Sequence, residues 1–367
     1  MFFYLVIYIV ISFLSIGLTI SKNKWIYILG IVSILSIVAA CRYGIGTDYF
    51  FTYLPTYQDY LAGGGKSEIF DIGVYAIYQF CITLNLGFQF ILFILSLLTM
   101  LFFMIGIENF SKKLNIQEWT MVIPFALFYY QMSFNYVRQV LAMSIIFFGC
   151  SLSDENKPVK YLVLVTSMLF HKSSVIFICF YLLRKLFSKK DYFILQVIVL
   201  CAGVFFTIRN EIFLPFILKT PFRVYASYFK NVSLSLSFGY FIRLLPLILC
   251  LVFYRNKEKQ QDIYLFIYAL AISAILRLLA YNQANDNLEY LSASQSFDRI
   301  SLYFSMFQIV IIGSILSKDV ECLFDLLIKC GVMGIVIFLW VYDYAISNMH
   351  ETIPYDYFFW KEYPVLI

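Results

Sequence analysis

Long apolar runs, separated by short polar connections, recur along the whole sequence. Runs such as ILFILSLLTMLFFMIGI do not alternate as strands do, and they approach the ~20 apolar residues that cross a bilayer as a helix. A helix satisfies its own backbone hydrogen bonds in lipid, whereas a membrane barrel needs alternating segments of about 10 residues. The pattern predicts an all-α polytopic membrane protein, one domain over 1–367 with about twelve transmembrane helices. The predicted spans are 2–20, 25–41, 88–107, 119–134, 138–153, 159–171, 173–184, 191–208, 239–254, 263–280, 299–317 and 323–341.

Two apolar stretches do not fit simple crossings. Residues 71–85, DIGVYAIYQFCITLN, are predicted to be re-entrant or interfacial, because a crossing there would contradict the charges of the loops that follow. Residues 159–184 are predicted to form two short helices that turn at HKSS. A single long helix would place the four basic residues of RKLFSKKD on the wrong side of the membrane.

The charged residues divide the connections into two kinds. Only 13% of the residues are charged and 62% are hydrophobic, and the short connections carry mostly Lys. Lys-rich short loops stay in the cytoplasm, so the termini and the longer connections are predicted to lie outside. These outer segments are 42–87, 209–238, 281–298 and the tail 342–367.

The cations and cysteines exclude some classes of partner. The net charge of +5 is scattered over short loops, so we expect no nucleic acid partner. The eight Cys form no CxxC pair and the chain has two His, so we expect no metal site. The first apolar run has neither a basic segment before it nor a small-residue cleavage pattern after it, and we expect a retained helix.

Arginine is concentrated on the predicted outer side. Seven of the nine Arg lie there or in the outer part of a span, although orientation alone requires cations inside. An Arg guanidinium grips phosphate with two parallel hydrogen bonds, and an Arg within a membrane indicates a functional site unless it snorkels to lipid or pairs with an acid. The surrounding residues favour a functional role most for Arg42, Arg138 and Arg299.

The stretch RYGIGTDYFFTY begins at Arg42 and follows an apolar run directly. Its two glycines permit unusual backbone angles and close approach of a ligand, and Thr47 or Asp48 can cap the next helix. Tyr49 and Tyr53 begin a tyrosine stripe at helical spacing. Such a stripe suits an aromatic belt at the membrane surface, and it equally suits a platform on which sugars stack.

Three further stretches supply polar groups at predicted outer helix ends. In FNYVRQVLA, helical spacing places Asn135, Arg138, Gln139 and Ala142 on one face. In LFHKSS, His171 is suited to proton transfer near neutral pH or to a structural role. In SFDRISLYF, Asp298 serves as a base or as a helix cap, and Arg299 shares a face with Tyr303.

Taken in order, RYGIGTDYFFTY, FNYVRQVLAMSI, LFHKSSVIFI, DRISLYF and IPYDYF resemble the EpsG family of Wzy-like bacterial polysaccharide polymerases of O-antigen, capsule and exopolysaccharide. The resemblance covers residues 40 to 358 and implies a GT-C-like fold in the cytoplasmic membrane, with the active site facing outward. It implies a lipid-linked oligosaccharide on undecaprenyl pyrophosphate as substrate, no cofactor and no metal. A flippase and a chain-length regulator are the implied partners.

The residues and the resemblance together suggest roles. Arg42 and Arg138, supported by Arg299 and Arg277, would bind the pyrophosphate. Asp48, followed by His171 and Asp298, would take the acceptor proton, and Tyr49, Tyr53, Asn135 and Gln139 would contact sugar. Two other functions stay open at this point: a flippase or transporter of the lipid-linked sugar, and a membrane O-acyltransferase.

Overall fold

The computed structural model describes residues 1–64, 71–186, 261–281, 288–359 and 361, together with positions 219, 244 and 248. Throughout these ranges the chain is helical or connects helices, and the extended pairing there is an isolated antiparallel bridge between Arg42 and Tyr357. The predicted all-α class is therefore confirmed.

The chain divides into two compact units, Met1–Ser174 with Ile312–Ile367, and Val175–Ile311. In the first unit, the long helix α5 packs against α2 and α8, and α1 packs against α2 and α6. Its helices are α1 (Phe2–Ile20), α2 (Lys24–Ala40), α3 (Leu54–Leu61), α4 (Ile72–Thr83), α5 (Phe88–Leu114), α6 (Trp119–Phe125), α7 (Met132–Asn135), α8 (Val137–Ser151) and α9 (Lys157–Thr166). The second unit contains α10 (Val175–Leu186), α11 (Gln261–Tyr281) and α12 (Leu288–Ser305). The boundary between the units falls within α13 (Gln308–Leu316), and α14 (Leu323–Trp340) belongs to the first unit.

Several helices are long and apolar enough to cross a membrane. The described residues contain four, Phe2–Ile20, Phe88–Leu114, Phe297–Leu316 and Leu323–Ile346, and a fifth if a pair bent by 109° at residues 152–153 counts as one span. The chain is thus a helical membrane protein, but the predicted number of about twelve spans is not confirmed. The predicted spans 191–208 and 239–254 and the outer loop 209–238 lie outside the described ranges.

The predicted re-entrant segment forms the short helix α4. Its 12 residues extend about 18 Å, too little for the ~30 Å hydrocarbon core of a bilayer. Both ends of this segment lie at the same end of the first unit. Before α4, Asp71 faces Arg138, and after it, at the start of α5, Gln89 donates to the carbonyl of Arg42. The helix alone is therefore too short to span the hydrocarbon core, and the re-entrant or interfacial placement of the segment stays a prediction.

The predicted turn at HKSS is also present as a break in the helix. The helical run that begins at Lys157 ends at Leu169, and a new one begins at Lys172. His171 lies between them, with its backbone N–H donating to the carbonyl of Ser167. Whether each arm crosses the membrane stays a prediction.

Residues 119–151 run to one end of the first unit and back. The outward run consists of α6, a π-helical segment over Ala126–Tyr130 and α7, and α8 forms the return. The first and last residues of this hairpin lie at the end of the unit where α5 ends. The backbone N–H of Trp119 donates to the hydroxyl of Thr19, and the amide of Asn109 donates to the hydroxyl of Ser151. The reversal occurs at Tyr136, whose φ of −89° and ψ of 46° are not helical.

The connections of the first unit fall at two ends, separated by the roughly 40 Å length of the 27-residue α5. At one end Lys24 pairs with Glu118, and the backbone N–H of Gln117 donates to Ser317. These loops are among those predicted to be cytoplasmic, and the structure does group them together. The other end holds Arg42 and the turn at Tyr136.

Candidate functional site at the α7–α8 turn

Among the residues that the structure describes, Arg42 is one of the largest fully buried side chains, with 1% of its surface exposed. Its Nη1 donates to the carbonyl of Ala39 at 2.5 Å and its Nη2 to the carbonyl of Phe134 at 3.2 Å, and the guanidinium lies 4.9 Å from the Phe134 ring centre. Its Nε has no hydrogen-bond partner, and none of the described carboxylates lies within 4 Å of it. Burying a cation without a counter-ion is costly, so this group is suited to an anionic ligand.

The helix ends explain why Arg42 is tolerated there. Ala39 belongs to the last turn of α2 and Phe134 to the last turn of α7. The last carbonyls of a helix lack intrahelical partners and carry partial negative charge, so they attract cations. Two helix ends therefore fix the orientation of the guanidinium and offset part of its charge.

The turn at Tyr136 corrects one prediction from helical spacing. Asn135 is the last residue of α7, whereas Arg138 and Gln139 lie in the first turn of α8. The prediction that all three share one helix face is wrong, because the non-helical Tyr136 separates Asn135 from the others. The turn still places Asn135 and Arg138 at the same end of the unit.

The glycine-containing stretch after Arg42 packs directly on this turn. Gly46 has φ of +89°, and a Cβ there would lie 2.8 Å from the carbonyl oxygen of Phe134. The next two residues bind Asn135, whose Oδ1 accepts from Thr47 Oγ1 at 2.7 Å and from the Asp48 N–H at 3.0 Å. The predicted capping role is not observed, since the Asp48 side chain makes no cap bond.

The other end of the Asn135 amide faces His350, a residue that the sequence analysis did not select. Nδ2 of Asn135 lies 3.2 Å from Nδ1 of His350, which is buried with its ring 4.7 Å from that of Tyr136. Because Oδ1 already accepts from a backbone N–H, the amide must donate to Nδ1. The proton of the neutral imidazole therefore lies on Nε2. The one available signal was that the chain has only two His.

A second charged group surrounds Asp71, which is 5% exposed and precedes α4. Arg138 Nη1 lies 4.0 Å from one carboxylate oxygen and Lys172 Nζ lies 3.8 Å from the other. Burial raises the pKa of Asp71, although the two cations act in the opposite direction. Asp71 carries no functional signal in the sequence, because an Asp before an apolar helix is an ordinary helix start.

His171 is adjacent to Lys172 in the chain but makes a different contact. Its Nδ1 lies 3.0 Å from the hydroxyl of Ser173, and its backbone lies in the turn that follows α9. This turn packs on the start of α4, since a Cβ on Gly73 would lie 2.9 Å from the carbonyl of Leu169. His171 thus belongs to the same end of the unit as Asp71.

The two tyrosines assigned to sugar are buried. Tyr49 is 0% exposed, its hydroxyl accepts from Gln89 at 3.1 Å, and its ring packs edge-on against Phe88. Tyr53 is 1% exposed and its hydroxyl donates to the carbonyl of Asn135 at 3.4 Å. These rings belong to the core between α3, α4 and α5, so the structure supports neither a lipid-facing belt nor an open stacking platform at these two positions.

Three of the predicted site residues lie in the second unit. Arg277 of α11 donates from Nε to the hydroxyl of Ser301 at 3.2 Å and lies 3.7 Å from the carboxylate of Asp298. Asp298 does not cap a helix start, because α12 begins ten residues earlier. Arg299 is half-buried beside it. Within this unit, the acid predicted as a base thus neutralises a cation predicted to bind phosphate.

The comparison with protein-family models identifies the chain. The model of the EpsG family matches residues 24–357, more than nine-tenths of the sequence. The chain belongs to the EpsG family. This membership confirms the resemblance and points to polysaccharide biosynthesis. No curated protein and no solved structure matches the chain significantly.

The residues matched to the EpsG family include the charged side chains described above at this end of the first unit. Arg42, Arg138 and Lys172 provide three cations, against the buried carboxylate of Asp71 and the half-buried Asp48. The arrangement can bind a multiply charged anion and take up a proton. In the described part of the chain, no three His, Cys, Asp or Glu side chains are grouped closely enough to hold a metal ion.

Proposed function

We propose that this EpsG-family protein is a Wzy-type polysaccharide polymerase. It joins oligosaccharide repeat units carried on polyprenyl pyrophosphate at the outer face of the cytoplasmic membrane. A hydroxyl at the non-reducing end of a new unit attacks the anomeric carbon of the growing chain. The new C–O bond replaces the bond to phosphate, the acceptor loses its proton, and polyprenyl pyrophosphate leaves with the electron pair.

The observation that carries this proposal is that two arginines meet the α7–α8 turn, Arg42 from the loop after α2 and Arg138 from the start of α8. Arg42 donates to the carbonyl of Phe134, and Arg138 lies four residues after Phe134, at the start of α8. Pyrophosphate is already a good leaving group, so catalysis chiefly requires cations placed where its charge develops. Two guanidiniums at one turn supply that arrangement, and Lys172 adds a third cation.

Other polar groups at the turn suit the sugar. Asn135 is buried and already orders Thr47, Asp48 and His350, while Gln139 is buried in the first turn of α8. We propose that Gln139 contacts sugar hydroxyls and that Asn135 maintains the geometry of the turn. Arg299 belongs to the second unit, and its supporting role toward the pyrophosphate stays a prediction from the sequence.

In this function the α7–α8 turn lies outside the cell. The opposite end of the first unit carries the Lys-containing loops, including Lys24 and Lys112, which favours a cytoplasmic position for that end. A GT-C-like frame of about twelve spans, with a flippase that supplies the substrate and a chain-length regulator, completes the proposal.

The function is tested in a strain that lacks the gene and is complemented with wild type or Arg138→Ala. We expect a ladder of repeats on a surface-glycan gel with wild type, and only lipid-linked single units with the variant. Lys112→Ala, an exposed cation at the opposite end, is the matched control and should keep the ladder. Intermediates trapped inside the deletion strain, with no glycan at the surface, would instead indicate a flippase.

A further inference from the structure

Asp71 is surrounded by two cations that it does not bind tightly. The carboxylate belongs to the segment before α4, whereas Arg138 belongs to α8 and Lys172 to the turn after α9. Three separate elements therefore meet at one ion cluster, with Asp71 buried and Lys172 largely exposed. Asp71 makes no cap bond to α4, so its carboxylate is not needed to start that helix.

The distances show that this is an electrostatic arrangement without close hydrogen bonds. Charge-assisted hydrogen bonds between nitrogen and a carboxylate are about 2.7–2.9 Å long. Arg138 Nη1 and Lys172 Nζ lie 4.0 and 3.8 Å from the carboxylate oxygens of Asp71. A phosphate between the two side chains would bring more oxygen atoms and more charge than one carboxylate. The cluster therefore has the composition of an anion site in which a residue of the chain supplies the negative charge.

We propose that Asp71 is the resident counter-ion of the pyrophosphate site and that, once pyrophosphate draws Arg138 and Lys172 away, Asp71 takes the proton of the acceptor hydroxyl. This inference rests on the proposed polymerase function and adds the regulation of its site. An unliganded site is held neutral by its own carboxylate. The same carboxylate becomes the base only when substrate is present.

The proton and electron balance of the step is simple. The acceptor O–H bond breaks and its proton moves to a carboxylate oxygen of Asp71. The hydroxyl oxygen forms the new bond to the anomeric carbon, and the bond from that carbon to the phosphate oxygen breaks. Polyprenyl pyrophosphate leaves with that electron pair, and its added charge is met by Arg138, Lys172 and Arg42.

The surroundings favour Asp71 over Asp48 for this role. Asp48 is half-buried, and its backbone is the part that binds Asn135. Asp71 is buried beside both cations, and burial already raises its pKa against their influence. When the cations turn to the phosphate, their lowering effect on the pKa of Asp71 is lost while its burial persists, so the carboxylate becomes more basic at the step that needs a base.

The test compares Asp71→Asn with Asp59→Asn in purified full-length protein. Asp59 is an exposed acid on α3, so its variant makes the same charge change away from the cluster. Binding of inorganic pyrophosphate is measured by titration calorimetry, and turnover of lipid-linked repeat units is measured by gel. We expect Asp71→Asn to bind pyrophosphate roughly tenfold more tightly, equivalent to ~1.4 kcal/mol, and to lose turnover. Asp59→Asn should match wild type in both measurements.

Each result supports or overturns the inference. Binding by Asp71→Asn shows that the variant is folded, so its lost turnover then reports chemistry. Unchanged binding with retained turnover, or binding that is lost together with turnover, would overturn it. If wild type itself binds pyrophosphate but does not extend repeat units, the polymerase proposal fails. Tighter binding by Asp71→Asn would in that case still establish the resident counter-ion, while its role as a base would be overturned.

Discussion

Arg42 donates a 3.2 Å hydrogen bond to the carbonyl oxygen of Phe134, a residue 92 positions further along the chain. The bond joins the end of α2 to the end of α7 and holds a buried cation against the aromatic ring of the same residue. Because Phe134 precedes the reversal at Tyr136, this contact fixes the guanidinium relative to Asn135 and Arg138. The positions of Arg42 and Arg138, which we propose bind the pyrophosphate, thus depend on the α7–α8 turn.

Gly46→Ala should disrupt the packing of the Arg42 loop on that turn. The added Cβ would lie 2.8 Å from the carbonyl oxygen of Phe134 and 3.0 Å from its carbon, at a φ of +89°. We expect the free energy of unfolding to fall by about 1–2 kcal/mol because of the left-handed backbone, and by about 1–3 kcal/mol more because of the steric overlap. Thermal unfolding of the purified variant in detergent measures the loss.

Gly63→Ala is the matched control for this substitution. Gly63 also has a left-handed φ, of +83°, but a Cβ there would meet nothing within 4 Å. It should show only the smaller backbone contribution and should keep polymer production. Equal losses for the two variants would mean that Gly46 does not need its close contact with Phe134.

Asn135 should determine which nitrogen of His350 carries the proton. The amide donates to Nδ1, so the neutral ring is expected to be protonated at Nε2. The chain has two His, and His171→Gln leaves His350 as the only ring signal in ¹⁵N-histidine-labelled protein. A nitrogen spectrum should then show a proton on Nε2 and a bare Nδ1.

Asn135→Asp reverses the expectation for His350. A carboxylate facing Nδ1 accepts rather than donates, so the proton of the neutral ring should move to Nδ1. The two nitrogen signals would exchange character relative to the Asn135 protein. Identical spectra would contradict the Asn135–His350 contact.

The pH dependence of polymerisation should report Asp71. Burial raises the pKa of this carboxyl, so the activity kcat/KM should fall on acidification at a midpoint above the ~3.9 of a solvated Asp. The charged side chains that face Asp71 are those of Arg138 and Lys172. His171 is close in the chain, and His171→Gln should leave the acid limb in place. If the fall of kcat/KM on acidification disappeared in His171→Gln and persisted in Asp71→Asn, the titrating group would be His171.

The sequence predicted the features that depend on local pattern. The helical class, the short segment at 71–85, the break near His171 and the grouping of the Lys-containing loops all follow from apolar run length and charge. The Arg42 loop and the Asn135–Arg138 stretch were also singled out, because polar groups at helix ends are visible in one dimension.

The features that it missed depend on contacts between distant segments. Asp71 and His350 acquire their surroundings from α8 and α7, and nothing beside them in the chain indicates this. Tyr49 has the spacing of a surface stripe, yet α5 covers it. Arg277 and Asp298 had separate predicted roles until the packing of α11 on α12 placed them 3.7 Å apart.

The most direct test of the account is extension of a purified lipid-linked repeat unit by purified protein, comparing wild type with Arg42→Lys. We expect wild type to form a ladder and release polyprenyl pyrophosphate without any nucleotide sugar. Lysine keeps the charge but lacks the planar guanidinium whose two nitrogens bond the carbonyls of Ala39 and Phe134, so Arg42→Lys should be at least about 100-fold slower. A full ladder from Arg42→Lys, or none from wild type, would contradict the account.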